Sequence, residues 1–304
     1  MKLRRVLLRT TMLSGLVGGL LLTALEPRAA DLSATTPFAN FAPAPAVDGV
    51  NAKVDGLGGS LGHRSLYGSD GALSIPLGGQ YGTQIDGLLA SWGGRTVGGV
   101  APHLFWRNPA QGLLGVYTSH TWWDQFGGIY VGRVAGEGEW YSGPLTLQGI
   151  AGSEFGNSRT NAIITPAGTL FQTFDVKTQF FDEVNLKYYM SNNWDAYVGH
   201  RYLGGKNMLA LGTEVAVPLA LGRGTLATGF VEGRVGTTNS EGVWGGLRLY
   251  FGQKDKSLID RHRQDDPPKW SLSPLQTINN SFKQSFVPAP PTTPTSTSSS
   301  SCEI

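Results

Sequence analysis

Between residues 50 and 252 the chain alternates apolar and polar side chains with a period of two, and no helical pattern interrupts it. Successive side chains of a β-strand point to opposite faces, so this period predicts strands with one apolar and one polar face. Glycines and Asn-Pro, Ser-Gly and Asn-Asn pairs separate the segments and favour turns. The pattern predicts twelve strands, at approximately 52–61, 71–77, 80–92, 97–107, 111–121, 126–141, 144–156, 177–190, 194–203, 207–218, 224–235 and 242–252.

Two folds share this alternation: a soluble sandwich with its polar face outward and a transmembrane barrel with its apolar face outward. In the eighth segment Val184 and Leu186 share one face, and Glu183 and Lys187 share the other. Many segments reach ten residues, whereas sandwich strands average about five or six. Charged residues make up 15% of the chain, below the roughly 25–35% of a soluble surface. We therefore expect an all-β, transmembrane antiparallel barrel of about twelve strands, with ten or fourteen strands and a soluble periplasmic sandwich as alternatives.

Tryptophan and tyrosine near the segment ends also favour the barrel, because such residues form aromatic girdles at the two membrane surfaces. The expected girdle residues are Trp92, Trp106, Trp122, Trp123, Trp140, Tyr141, Trp194 and Tyr202.

Residues 1–30 have the layout of a secretory signal peptide. Four basic residues precede an apolar stretch at 12–25, and Ala29-Ala30 offers small residues for cleavage. Removing them subtracts five of the 24 basic and one of the 22 acidic residues, which leaves a net charge of −2. That charge disfavours a nucleic-acid partner. Export followed by membrane insertion predicts location in the outer membrane of a Gram-negative cell, with membrane lipid and the barrel-assembly machinery as partners.

Two further segments flank the predicted barrel at 50–252. Residues 31–49 form an Ala/Pro-rich lead-in, and residues 253–304 form a charged, then Ser/Pro/Thr-rich tail. In this tail we expect a short helix within 255–266 and disorder over 287–301. An even strand count places both ends of the barrel on one side, predicted to be periplasmic. The charged run 255–266 could contact peptidoglycan or a periplasmic protein. The single cysteine, Cys302, excludes a disulfide scaffold.

Four stretches with aromatic residues carry a resemblance to a known group: His103–Pro109, His120–Gly128, Gly199–Lys206 and Gly242–Gly252. In these the chain resembles alphaproteobacterial outer-membrane β-barrel proteins of the porin-like and surface-antigen-like kind, over most of 50–266. The resemblance implies architecture, not activity. It also implies an assembly signal in the last strand, formed by Gly246, Leu249 and Phe251. Two departures are Trp244, where a polar residue is usual, and the 52 residues beyond Gly252.

Charged side chains on the polar faces should point into the lumen. The functional interpretation is a polar pore whose acidic excess mildly favours cations. The alternative is a set of paired charges that fill a narrow lumen, since unpaired buried charge is costly. The expected lumen residues are Asp86, Arg133, Glu137, Glu139, Glu154, Glu183, Lys187, Asp195, Arg201, Glu214, Glu232, Arg234 and Arg248.

Catalysis is not expected. Ser119, His120, Asp124 and His200 lie near predicted strand ends, but the chain has no Gly-x-Ser-x-Gly nucleophile motif and no short metal-ligand motif. We expect no enzyme activity, no cofactor and no metal. The predicted function is passive passage of small polar solutes, or a structural or surface-antigen role. Alternatives are an adhesin or binding protein that acts through loop 157–176 and, more remotely, an outer-membrane hydrolase.

Overall fold

Fifteen strands and two short helices organise the part of the chain that the computed structural model describes, residues 44–219, 221–237 and 240–290. The predicted signal peptide, most of the lead-in and Cys302 lie outside these residues. The strands are β1 (Asn51–Leu61), β2 (Arg64–Gly78), β3 (Tyr81–Trp92), β4 (Arg95–Asn108), β5 (Gly112–Trp123), β6 (Ile129–Ser142), β7 (Leu145–Gly156), β8 (Ser158–Thr165), β9 (Gly168–Asp175), β10 (Gln179–Ser191), β11 (Trp194–Leu203), β12 (Lys206–Val217), β13 (Thr225–Gly236), β14 (Gly242–Phe251) and β15 (Phe282–Pro288).

Twelve of the strands close into an antiparallel barrel in the order β1-β14-β13-β12-β11-β10-β7-β6-β5-β4-β3-β2. Closure is made by β1 and β14, which pair from Ala52↔Phe251 to Leu61↔Gly242. The predicted count of twelve is confirmed, and each predicted segment corresponds to one barrel strand. A closed barrel has no free sheet edge, which rules out the sandwich.

The barrel wall has an apolar exterior and a polar interior. Large apolar side chains on most strands are exposed outside, including Leu89, Leu114, Val134, Leu211 and Leu247. The opposite faces of the same strands carry buried charged and polar side chains. No helix in the described residues is long and apolar enough to cross a membrane.

Two ends of the barrel can be distinguished by the turns they carry. The near end holds the turns after β2, β4, β6, β10 and β12, together with the start of β1 and the end of β14. The far end holds the remaining connections. Three of these are two-residue turns, Gly62-His63, Gly93-Gly94 and Gly204-Gly205, whose positive φ angles suit tight hairpins. Short turns therefore occur at both ends, and the connection from β7 to β10 is the longest at the far end.

The predicted loop 157–176 is itself folded. Its residues form the β8–β9 hairpin, and β15 adds to β9 to make a three-stranded sheet at the far end, hereafter the far sheet. In the β9–β15 register Phe174 pairs with Phe282 and Gly168 pairs with Pro288.

The C-terminal segment returns through the barrel. It contains helix α1 (Leu258–Asp260), continued by a π-helical turn (Arg261–Asp265), and helix α2 (Ser273–Asn280). Most side chains between 258 and 281, hereafter the plug segment, are buried. The prediction that the tail stays at the near end is wrong for residues 258–288, because these residues pack inside the lumen and then pair with β9. The short helix expected within 255–266 is present. Residues 291–304 lie outside the described part of the chain.

Candidate functional site

The plug segment enters the lumen at the near end, where it binds the barrel turns mainly through their backbone groups. The backbone N–H of Ile259 donates to the carbonyl oxygen of Asn192 at 3.0 Å. The Arg261 guanidinium donates to the Gly224 carbonyl at 2.7 Å, and Arg263 donates to the Leu145 carbonyl at 2.8 Å. Two near-end turns and the first residue of β7 thus hold one short helical segment in the near mouth.

The lead-in also reaches this mouth. Asp48 lies 3.0 Å from the Lys254 Nζ and 3.3 Å from the Lys256 Nζ. The hydrogen bond from Lys254 holds the pKa of the Asp48 carboxyl below its usual value, against a smaller opposing effect of burial. The N-terminal and C-terminal ends of the described barrel are thereby joined by ion pairs.

Halfway through the lumen, the plug segment is bound by buried charges of the wall. The Lys269 Nζ lies 2.7 Å from Asp55 and 3.3 Å from Asp70, and the Ser271 hydroxyl donates to Asp70 at 2.8 Å. All of these side chains are nearly inaccessible to solvent. Buried charges are tolerated only when they are paired, so the wall and the plug segment compensate each other here.

Helix α2 continues this pairing towards the far end. The Ser273 hydroxyl donates to Glu183 at 2.6 Å. The Thr277 hydroxyl donates to Glu154 at 2.6 Å and accepts from Arg133 at 2.9 Å. Arg133 in turn lies 3.0 Å from Glu154 and 3.2 Å from Glu183. The helix therefore completes a hydrogen-bonded network that the wall has already assembled.

The segment leaves through the far mouth. The Asn280 side-chain amide donates to the Leu203 carbonyl, the last residue of β11, at 2.7 Å. Gly62 in the β1–β2 turn has room only for hydrogen, because a Cβ there would overlap the Asn279 Oδ1. The plug segment thus touches the barrel from its near-end turns to its far-end turns, and it spans the lumen.

An aromatic cluster seals the far mouth around Arg64. The guanidinium carbon lies 5.4 Å from the ring centroid of Trp92, 5.6 Å from those of Trp123 and Phe174, and 5.7 Å from that of Phe282. Phe174 belongs to β9 and Phe282 to β15, so the base of the far sheet packs into the same cluster.

The structure describes all thirteen predicted lumen residues. Eleven are buried, and Glu232 and Arg248 are half-buried. Arg248 lies 2.7 Å from Asp55 and 2.5 Å from Glu214. Arg234 lies 2.7 Å from Glu232, and Arg201 lies 3.0 Å from Glu183. The remaining predicted residues in ion pairs are Asp86 and Glu137 with His103, Glu139 with Arg107, Glu154 with Arg133, and Asp195 with Lys187.

Several lumen residues were missed by the sequence reasoning. His103 is buried between Asp86, at 3.1 Å, and Glu137, at 2.8 Å. Lys53 donates to the Pro267 carbonyl at 2.5 Å. The alternation along the strand could have identified these two residues, because each lies within a predicted strand and on its polar face. Other missed charged residues with buried lumen partners include Asp55, Asp70 and Arg107.

The aromatic girdle prediction is wrong for three residues. Trp92 and Trp123 are buried inside the barrel, where their ring N–H groups donate to the carbonyls of Leu61, at 3.0 Å, and Trp92, at 3.1 Å. Tyr141 is also buried and donates to Glu139 at 2.5 Å. The alternation explains this, since neighbouring residues of a strand cannot share a face. Trp122, Trp140 and Trp194 are exposed outside, and Trp106 and Tyr202 are half-exposed.

The last strand carries the predicted assembly signal on the outer wall. Leu249 and Phe251 are exposed. Gly246 lies against β1, because a Cβ there would overlap the Gly56 carbonyl oxygen. The signal's role in assembly stays a prediction.

A small cavity lies in the lumen. About 130 Å³ remains between wall and plug segment, lined by Lys53, Asp55, Lys187, Asp195 and Glu214 among others. Ligand pockets usually measure about 300–1,000 Å³, so this space accommodates waters rather than a solute.

One buried group has ligand-type atoms within 4.8 Å of one another: Asp195, Glu214 and His262. Each residue has a partner outside the group, although neither Asp195 oxygen accepts a hydrogen bond from the described part of the chain. The His262 ring nitrogens are each 2.8 Å from a hydroxyl, that of Tyr189 or that of Tyr250. Glu214 is held by Arg248 and Tyr250, and Asp195 by Lys187. The group therefore has the geometry of a plug-to-wall contact.

The four residues weighed for catalysis do not assemble. Ser119 and His120 are neighbours on β5 and point to opposite faces. His120 is exposed outside, 6.1 Å from the Trp122 ring and 5.5 Å from the Tyr130 ring. His200 is exposed on β11, with Asp182 at 2.9 Å and Asn207 at 3.0 Å.

Comparison with known proteins yields fold similarity only. No family model matches the chain, and no curated protein matches it. Among solved structures, the KdgM porin in complex with disordered oligogalacturonate is 8% identical with a TM-score of 0.40, covering 66% of this chain and 99% of that one. An outer-membrane channel from Pseudomonas putida F1 is 9% identical, with a TM-score of 0.39 and coverage of 70% and 98%. The β domain of the Bordetella autotransporter BrkA is 13% identical, with a TM-score of 0.38 and coverage of 67% and 98%.

Proposed function

We propose that this protein is an outer-membrane barrel that its own C-terminal segment closes, and that it presents the far sheet and the C-terminal end of the chain on the outside of the cell. The observation that carries the proposal is the path of the chain. It enters at the near-end turns, crosses the lumen through buried ion pairs, and emerges at Leu203 to pair with β9.

Membrane placement rests on the wall itself. A continuous apolar exterior with charges turned inward suits lipid, because a charge on the lipid face costs about 2–4 kcal/mol at the midplane. The near end carries both barrel termini and is assigned to the periplasm, the side from which an exported chain arrives. The far sheet then faces outward, in keeping with the surface-antigen role expected from the sequence.

Tag accessibility tests the topology. One epitope is placed after Ile304 and, in a separate variant, the same epitope is inserted in the near-end link at 221–223. On intact cells, antibody should label the C-terminal tag, and it should label the near-end tag only after permeabilisation. Labelling of the near-end tag alone on intact cells would reverse the orientation and contradict the proposal.

Conductance tests closure. Full-length protein in a planar bilayer should show no stable steps, whereas a chain that stops after Gly252 should conduct. Heat-modifiable gel migration checks that the shortened barrel has folded. In the shortened chain the inner wall of the barrel is exposed, and it carries more acidic than basic side chains. The pore of the shortened chain should therefore favour cations. Steady conduction by the full-length protein would instead support passive solute passage.

A second candidate, adhesion, is favoured by the tip of the far sheet. Ile163, Ile164, Phe286 and Val287 are exposed there, and exposed apolar patches often mark interaction sites. The double variant Ile164→Asp/Phe286→Asp should reduce attachment of expressing cells to surfaces or to one another. The matched variant Leu89→Asn, on the outer wall, should leave attachment unchanged. Equal attachment by the tip variant and the wild type would remove this candidate.

A further inference from the structure

The outer wall carries one polar group at a depth where its neighbours are apolar. His200 on β11 is level with Val184 on β10, with Leu209 on β12 and, through Leu209, with Val235 on β13. Half of the His200 side chain is exposed, and it lies on the exterior. A polar side chain that faces lipid is costly unless it meets polar partners, so the groups around His200 decide what this position can bind.

An apolar groove of about 630 Å³ leads to His200 across four strands. Its walls are the exposed side chains of Val184, Leu186, Val198, Leu209 and Val235. The groove is continuous with the apolar exterior of the barrel, which under the proposed function faces hydrocarbon. What fills it must therefore be apolar along the groove.

The polar end of the groove is a built cluster. The His200 Nδ1 is 2.9 Å from the Asp182 carboxylate and the His200 Nε2 is 3.0 Å from the Asn207 side-chain oxygen. Asp182 is level with Tyr202 and Asn207 at the far-end edge of the wall. The imidazole, carboxylate and amide groups together offer hydrogen-bond donors and acceptors. Because the carboxylate is negatively charged, the cluster suits hydroxyl or amide groups better than a bare phosphate.

We propose that this groove binds one lipid molecule, with an acyl chain along Leu186, Val198 and Leu209 and a hydroxyl- or amide-bearing head group on His200, Asp182 and Asn207. The inference rests on the proposed function, since it requires the exterior to face lipid. By its depth, the site lies in the leaflet nearest the far end.

The wall supplies a matched control. His120 on β5 is also exposed outside, three residues from the far end of its strand, as His200 is. His120 stacks against Trp122 and Tyr130 instead of ending a groove. A general effect of removing a histidine from the outer wall should therefore appear equally in both variants.

Native mass spectrometry of full-length protein, released from micelles that contain a defined lipid, tests the proposal. The probes are a monoglucosyl diacylglycerol and a phosphatidylglycerol with the same acyl chains. The wild type should retain one glucosyl lipid in preference to the phospholipid. Val198→Trp, which fills the groove, should lower retention of both lipids about tenfold or more. His200→Ala should lower retention of the glucosyl lipid alone, and His120→Ala should change neither.

Equal retention of the two lipids by the wild type, or equal effects of His200→Ala and His120→Ala, would overturn the lipid site. Heat-modifiable migration and vesicle insertion are measured on the same samples. Normal insertion without selective retention would remove the lipid site and leave the proposed function intact. Failure to insert into vesicles would count against the proposed function itself.

Discussion

Two lysines of the C-terminal segment occupy opposite environments. Lys269, in the plug segment, is 6% exposed and pairs with Asp55 and Asp70 of the barrel wall. Lys283, in β15, is 61% exposed and pairs only with Asp175 of the neighbouring strand. The two residues are fourteen positions apart, yet the first is part of the barrel interior and the second is a surface residue.

The contrast extends to the regions around them. Residues 258–281 are held by buried charges and side-chain hydrogen bonds. Beyond Phe282, which packs in the aromatic cluster, β15 is held mainly by backbone pairing with β9. Burial makes electrostatic pairs strong and their disruption costly, and water screens exposed pairs. The plug segment therefore behaves as an inner layer of the barrel, while the far sheet is the region that can change without loss of the fold.

The largest expected effect is that of Lys269→Met. Removing one partner of a buried ionic group leaves Asp70 with Ser271 alone and should lower the free energy of unfolding by about 3–5 kcal/mol. Urea titration of the protein in lipid vesicles measures it. A loss below about 1 kcal/mol would show that water reaches this pair, and would contradict the closed lumen.

The next comparison is between two glycines in far-end turns, Gly62 and Gly94. Gly62 has φ +55° and faces Asn279, whereas Gly94 has φ +75° and open space where a Cβ would stand. Both Gly→Ala changes strain the backbone, but only Gly62→Ala also displaces the plug segment. It should cost about 1–3 kcal/mol more than Gly94→Ala in the same titration. Equal costs would mean that the plug segment does not press on this turn.

A smaller loss is expected for Thr277→Val, which keeps the shape of the side chain and removes its hydroxyl. Glu154 and Arg133 would still pair with each other, so the loss should be about 1.5 kcal/mol, at the lower end for hydrogen bonds to charged groups. A double-mutant cycle with Glu154→Gln measures the coupling. If the effects of the two single substitutions were additive, α2 would not be energetically coupled to the charge network of the wall.

Lys283→Met completes the comparison and should have the smallest effect. An exposed ion pair contributes about 0–1 kcal/mol, and raising the salt concentration should remove that contribution. Lys269→Met should respond little to salt. If the two lysine variants were equally destabilised, the distinction between an inner layer and a changeable far sheet would fail.

The barrel strands could be predicted closely because their signal is local. A period of two with an apolar outer face is sufficient to place β3, β6 and β14 within a few residues, and glycine pairs mark the turns. The same period also points Glu183 and Arg201 inward. Trp92, Trp123 and Tyr141 were wrongly predicted to lie on the outside, because the prediction relied on nearness to a strand end and not on the alternation of faces. Trp122 and Trp123 are neighbours in one strand and cannot face the same side.

The plug segment could not be predicted in this way. Its polar composition, from Ser257 through the Asp265-Asp266 pair to Asn280, is typical of a solvated tail. Such residues become an interior only when a ring of complementary charges surrounds them, and Asp55, Asp70, Glu154 and Glu183 come together only after the barrel has closed.

The sequence by itself determined the approximate strand number, the apolar face that each strand turns outward and the inward direction of its charges, because those properties depend on spacing along one strand. Only the tertiary structure decided whether the lumen is open. That outcome depends on contacts such as Lys269 with Asp55, more than two hundred residues apart, and on the closure of β1 against β14 that creates the space they share.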